Sequence, residues 1–91
     1  MPYFKEYKGL AKKKLLEKIL NSNKNVHFND LVTLITAFGF TLIRNASSHH
    51  IYEHKDIAEM VNIQNDKGKA KPYQIKQFLQ LVEKYKLNLE E

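Results

Sequence analysis

The chain has no cysteine, which excludes a disulfide framework, a metal site built from thiolates and a cysteine nucleophile. It also has no apolar run close to the ~20 residues that a membrane-spanning helix requires. Residues 1–6 lack the apolar stretch of a secretory signal peptide. From these absences we expect a soluble, cytoplasmic protein that has no membrane partner.

Glycine and proline are scarce as well, with three and two residues in a chain of 91. They do not gather into a flexible linker, and the chain has neither an internal repeat nor a low-complexity segment. A chain of this length forms one domain and buries about 60–70% of the surface that it exposes when extended. The sequence can therefore hold one modest core without crosslinks.

The net charge of +5 is unevenly distributed along the chain. Residues 1–26 carry two glutamates and seven lysines, which are Lys5, Lys8, Lys12, Lys13, Lys14, Lys18 and Lys24. A second basic cluster near Asp66 consists of Lys67, Lys69, Lys71 and Lys76. Basic clusters favour phosphate backbones, anionic lipids or acidic protein partners, and composition does not choose among these.

The spacing of apolar residues predicts three helices. The first covers residues 6–21. The second covers residues 28–38 and is followed by Gly39, where a left-handed residue is favoured. The third begins at Pro72, since the fixed φ of proline suits a first helical turn. The apolar positions of the three helices are Leu15, Leu16, Ile19, Leu20, Leu31, Leu34, Ile35, Phe38, Ile75, Phe78, Leu79 and Val82.

The stretch between the second and third helices is rich in β-branched and aromatic residues. We predict strands at residues 40–44, 50–52 and 60–64, which form a three-stranded antiparallel sheet. The result is an α+β fold in the order α-β-β-β-α, with an extra N-terminal helix. We divide the chain into a basic helical extension, residues 1–26, and a folded domain, residues 27–91. Helices that cover one face of the sheet would leave its other face open.

Two adjacent histidines, His49 and His50, stand in the second predicted strand. Histidine has an unperturbed pKa of about 6.5 and can therefore transfer protons near neutral pH. Neighbouring strand residues point to opposite faces, so the two imidazoles cannot share one site. We expect Ile51 to face the core, which places His50 and Tyr52 on the open face. A metal site made from these histidines and His54 is not expected, because no carboxylate or cysteine completes the ligand set.

Three motifs occur in this order along the chain. Gly39-Phe40 ends the second helix, residues 47–52 read Ser-Ser-His-His-Ile-Tyr, and residues 68–72 read Gly-Lys-Ala-Lys-Pro. Together they resemble the HicA toxins of bacterial toxin–antitoxin pairs over residues 28–86. These toxins are small endoribonucleases whose α-β-β-β-α fold is like that of double-stranded-RNA-binding domains.

The resemblance implies that His50 is the catalytic general acid and base, since it matches the family's catalytic histidine. The residues expected to hold phosphates or bases of the RNA are Ser48, Arg44, Lys69, Lys71 and Tyr52. The implied substrate is mRNA, and the implied partner is a cognate HicB-like antitoxin. Neither a metal nor a small-molecule cofactor is expected.

The chain departs from the family pattern at two places. Ser47 replaces the leading glycine of the histidine motif, and Asn62-Ile63-Gln64 stands where many members have Pro-x-His. A second polar partner for the catalytic histidine is therefore missing. Two other functions stay open: an RNA-binding module that does not cleave, and a degenerate protein-interaction domain.

Overall fold

Residues 2–89 form three helices and one small antiparallel sheet. The computed structural model describes residues 2–89, with side chains from residue 11 onward, so the side chains of Lys5 and Lys8 lie outside this part. The helices are α1 Pro2–Asn21, α2 Phe28–Ala37 and α3 Pro72–Lys84. The strands are β1 Thr41–Ala46, β2 His49–Glu53, β3 Val61–Asp66 and β4 Lys69–Ala70. This order confirms the predicted α+β fold with its extra N-terminal helix.

The end of α2 follows from the glycine that comes after it. Phe38 is the C-terminal cap, and Gly39 has a φ of 92°. The N–H of Gly39 donates to the carbonyl of Thr36 at 3.0 Å, and the N–H of Phe40 donates to that of Ile35 at 3.3 Å. These bonds satisfy carbonyls that the helix itself leaves free. The predicted stop at Gly39 is confirmed, and it directs the chain into β1.

The short strand β4 adds to the three predicted strands. Lys67 and Gly68 have φ values of 52° and 86°, and two consecutive positive φ values are what a tight hairpin turn requires. The side-chain oxygen of Asn65 accepts a hydrogen bond from the Gly68 N–H at 2.7 Å. The chain therefore turns back at once, and Lys69 pairs with Asp66. The sheet order is β1-β2-β3-β4.

The core lies between the helices and one face of the sheet, where α2 and α3 pack against β3. Its buried residues are Ile19, Val26, Phe28, Leu31, Leu34, Ile35, Phe38, Phe40, Tyr52, Val61, Ile63, Ala70, Ile75 and Phe78. The ring of Phe78 packs edge-on against the rings of Phe38 and Phe40, with centroids 5.7 Å apart in each pair. Strand β1 lies at one edge of the sheet, and all six of its residues are exposed.

The first helix contributes to this core. Ile19 is 2% exposed and belongs to the same apolar cluster as α2 and α3, with Leu15 and Leu16 packed against it. Leu20, in contrast, is 60% exposed, although its spacing placed it on the apolar stripe. Among the described side chains of α1, the apolar stripe is thus narrower than the sequence indicates.

Candidate active site

The faces of β2 are the reverse of those predicted. Val61 and Ile63 are buried, at 4% and 0% exposure, and they lie directly opposite Tyr52 and His50. Opposed residues of antiparallel strands share a face, so Tyr52 and His50 point towards the helices. The prediction that they lie on the open face is wrong, and Ile51 faces away from the core instead. Alternation determines which residues of β2 share a face but does not determine which face is buried. Burial of the face with Tyr52 is favoured because its ring is larger than the side chain of Ile51 and gains more from burial.

His50 lies at the rim of the core, beside the first residue of α2. Its ring centroid is 4.9 Å from that of Phe28, and the two ring planes are tilted by 51°. Phe28 is itself only 4% exposed. The imidazole therefore packs against a buried aromatic ring, and His50 as a whole is partly buried.

The two ring nitrogens of His50 have different surroundings. Nδ1 is buried and has no hydrogen-bond partner among the described residues. Nε2 is not among the buried, unpartnered atoms of the described side chains, so we assign it as the nitrogen that faces a substrate. An unpaired buried polar atom costs about 1–3 kcal/mol, and such atoms are rare enough in folded proteins to call for an explanation.

The turn between β1 and β2 places Ser48 close to the imidazole along the chain. Ala46 pairs with His49, so the turn holds only Ser47 and Ser48. The carbonyl of Ser48 accepts a hydrogen bond from the N–H of Asn65 at 2.9 Å. This bond ties the turn to the end of β3 and fixes the start of the strand that carries the histidine pair.

The backbone of Ser47 provides a test of this turn. Its φ of 57° is left-handed, which costs an L-residue about 1–2 kcal/mol, whereas glycine loses about 0.5–1 kcal/mol more chain entropy on folding. We expect Ser47→Gly to raise the free energy of unfolding in urea by up to about 1 kcal/mol. Ser48 has no positive φ, so Ser48→Gly, the matched control, should lower it by about 0.5–1 kcal/mol. A loss of stability in both variants would contradict this account of the turn.

Lys69 and Lys71 lie at the same end of the molecule as His50. The N–H of Phe28, whose ring contacts His50, donates to the carbonyl of Gly68 at 2.9 Å. Lys69 follows this glycine directly, and Lys71 is the residue before the first helical position of α3. Both lysine side chains are partly buried. The turn that precedes the two lysines is thus bonded to the residue whose ring contacts His50.

Two other predicted RNA-binding residues lie elsewhere. Arg44 is exposed and pairs with Ile51, so it belongs to the open face and not to the face of His50. Tyr52 is 2% exposed, and burial raises the pKa of its phenol above the ordinary value. A base cannot stack on a ring that is enclosed in the core, so the stacking role expected for Tyr52 is not supported.

The remaining members of the histidine cluster have separate surroundings. His54 is 8% exposed, its Nδ1 accepts a hydrogen bond from the N–H of Asp56 at 3.1 Å, and its ring centroid is 5.1 Å from that of Phe40. His49 is exposed on the open face. Among the described side chains, no three histidine, aspartate or glutamate residues are grouped so that they could hold a metal ion.

Sequence reasoning missed one residue that positions this end of the molecule. Gln74 is 6% exposed, and its Oε1 accepts a hydrogen bond from the backbone N–H of Gln64 at 2.8 Å. The first turn of α3 is therefore fastened to β3. The signal was present in the sequence, because Gln74 lies four residues before Phe78 on the stripe that faces the core.

One comparison with known proteins identifies a family. The family model described as HicA toxin of bacterial toxin-antitoxin matches residues 28–83, which is more than half of the 91-residue chain. The match begins at the first residue of α2 and includes the whole sheet and His50. No curated protein and no solved structure matches the chain significantly. Within residues 2–89, no helix is both long and apolar enough to cross a membrane.

Proposed function

Because this chain belongs to the HicA toxin family of bacterial toxin–antitoxin systems, we propose that it is a metal-independent endoribonuclease that cleaves mRNA, with His50 as general acid and base. The observation that carries this proposal is the environment of His50. Its ring contacts that of Phe28 at the rim of the core, and His50 lies within the segment that the family model matches. We place the reaction in the cytoplasm, where mRNA is found.

The proposed chemistry needs no group beyond the chain and the RNA. Nε2 of neutral His50 takes the proton of a ribose 2′-hydroxyl, and the resulting oxygen attacks the adjacent phosphorus. The bond from phosphorus to the 5′-oxygen breaks, and the leaving 5′-oxygen takes the proton back from the imidazolium of His50. The products are a 2′,3′-cyclic phosphate and a 5′-hydroxyl. Positioned proton transfer of this kind typically contributes about 10²–10⁴-fold to the rate.

We assign Ser48 as a hydrogen-bond donor to an oxygen of the reacting phosphate. Lys69 and Lys71 are assigned to a neighbouring phosphate of the RNA backbone, because both lysines point away from the core whereas His50 faces it. Arg44, on the open face, would contact RNA only where the strand passes around the edge of the sheet. Its contribution should therefore be smaller than that of the two lysines.

The family implies a cognate antitoxin, and the position of His50 indicates what such a partner would have to cover. We propose a HicB-like antitoxin with an acidic surface, which complements the net charge of +5. His50 faces the helices, so the antitoxin would inhibit by covering the end formed by the β1–β2 turn and the start of α3. Covering the open sheet face would leave Nε2 accessible.

One observation favours a second function, an RNA-binding module that does not cleave. Catalytic histidines are usually oriented by a third group that bonds to their second nitrogen, and Nδ1 of His50 has no such partner within the described part of the chain. Domains of this fold can bind RNA through its shape and backbone alone. Cleavage itself therefore has to be measured.

The test is incubation of the purified protein with RNA in the presence of EDTA. We expect cleavage, with fragments that carry the cyclic phosphate and the 5′-hydroxyl when they are examined by mass spectrometry. A 2′-O-methyl group at a mapped cleavage nucleotide should abolish cleavage at that position, because it removes the nucleophile. Cleavage that persists at this nucleotide would rule out the proposed chemistry, and binding without any cleavage would establish the second function.

A further inference from the structure

A basic cleft lies between the α1–α2 loop and the start of α3, on the side of β4. It is open to solvent and has a volume of about 380 Å³. The side chains that define it are Lys24, Asp66, Lys69 and Lys71, and we call this site the basic cleft. Lys69 and Lys71 were expected to bind phosphate, whereas Lys24 had no assigned role.

Backbone alternation places the side chains of Lys69 and Lys71 on the same side of the chain. Ala70, between Lys69 and Lys71, is 5% exposed and belongs to the core. Successive residues of an extended segment point to opposite faces, and Lys71 continues the extended backbone with φ −79° and ψ 129°. Both lysines therefore point away from the core, towards the basic cleft.

Lys24 comes from a different segment that is fixed against the same strand. The N–H of Ala70 donates to the carbonyl of Val26 at 2.9 Å. The side-chain amide of Asn23 donates to the carbonyl of Pro72 at 3.4 Å. These two bonds hold the chain on either side of Lys24, so the third lysine is positioned at the basic cleft by the fold.

The charges of the basic cleft are not balanced within the protein. Three lysines stand against one carboxylate, that of Asp66. Among the described side chains, the ion pair that forms is Lys84 with Glu59, and it involves none of the three cleft lysines. An anion in the cleft would form charge-assisted hydrogen bonds, which are about twice as strong as neutral ones.

We propose that the basic cleft binds a backbone phosphate of the RNA, distinct from the phosphate that reacts at His50, and that Lys24 supplies part of this contact. The inference rests on the proposed function. Lys24 precedes residue 28, where the family match begins, so the contact is contributed by the N-terminal part of this chain. We favour one continuous RNA strand because Phe28 links His50 to the basic cleft. Its ring contacts His50, and its N–H bonds to the carbonyl of Gly68, the residue before Lys69.

The test measures binding of a short 2′-O-methyl RNA, which the protein cannot cut, over a range of salt concentrations. Lys24→Ala is expected to weaken binding severalfold at low salt. It should also reduce the slope of log K against log salt by about 0.7, the contribution of one phosphate contact on a single strand. Lys24→Arg should keep the parental slope. Lys55→Ala is the matched control, since Lys55 is exposed beyond the far end of β2, and it too should keep that slope.

An unchanged slope in Lys24→Ala, or an equal reduction in Lys55→Ala, would overturn the inference. Cleavage of the unmodified RNA by the parent protein is followed in parallel. Parental cleavage together with an unchanged slope would overturn only the role of the basic cleft. Absence of cleavage would overturn the proposed endoribonuclease, while a reduced slope in Lys24→Ala would still establish the phosphate contact.

Discussion

Replacing His50 with alanine is expected to lower the rate of RNA cleavage by about 10²–10⁴-fold, the usual contribution of a general acid or base. Binding of 2′-O-methyl RNA should stay close to the parental value, because the lysines and not the imidazole supply most of the charge. The measurements are single-turnover cleavage rates with labelled RNA and the dissociation constant of the uncleavable RNA. A loss confined to the rate separates chemistry from binding.

His49→Ala is the matched control for this variant. It removes the adjacent imidazole, which is exposed and lies on the other face of β2, so cleavage should stay within a few-fold of the parent. Circular dichroism tests whether both variants fold, since His50→Ala also removes the ring contact with Phe28. If His49→Ala abolished cleavage and His50→Ala did not, the reaction would belong to the open face and the site would have to be reassigned.

Replacing Ile19 with alanine is expected to lower the free energy of unfolding by about 2–5 kcal/mol, the range for truncating a buried isoleucine. Ile19 is 2% exposed and is part of the cluster shared with α2 and α3. Small domains have only about 5–15 kcal/mol of stability in total. Urea denaturation of the full chain should therefore show a midpoint far below that of the parent.

The control for this variant is its neighbour on the same helix. Leu20 is 60% exposed, so Leu20→Ala should change the free energy of unfolding by no more than about 0.5 kcal/mol. Equal, small effects of the two substitutions would support the division into an extension at residues 1–26 and a domain at residues 27–91. A large loss from Ile19→Ala alone would show that the end of α1 stabilises the folded unit, as its burial indicates, and would argue against a boundary at residues 26 and 27.

Local sequence features were sufficient for the second helix. Leu31, Leu34, Ile35 and Phe38 recur at helical spacing, and all four are buried in the core. Gly39 follows with the positive φ that was expected of it. Both features depend on interactions within one or two turns of helix, which is the range over which a sequence pattern is informative.

The short strand β4 could not be predicted in this way. Two residues, Lys69 and Ala70, are too few to display a period of alternation. Their pairing depends on Lys67, which adopts a left-handed conformation that lysine rarely takes. The strand exists because β3 and the segment before α2 offer hydrogen-bond partners on its two sides, and these contacts are remote in sequence.

The orientation of the paired histidines depends on both the sequence and the tertiary structure. The sequence by itself determined that His49 and His50 lie on opposite faces, because alternation is a property of any extended strand. Only the tertiary structure decided that His50 faces the helices. The orientation of β2 depends on its pairing with β3, because this pairing buries Tyr52 on the same face as Val61 and Ile63. The same orientation left His50 against Phe28, whose backbone N–H bonds to the turn that precedes Lys69.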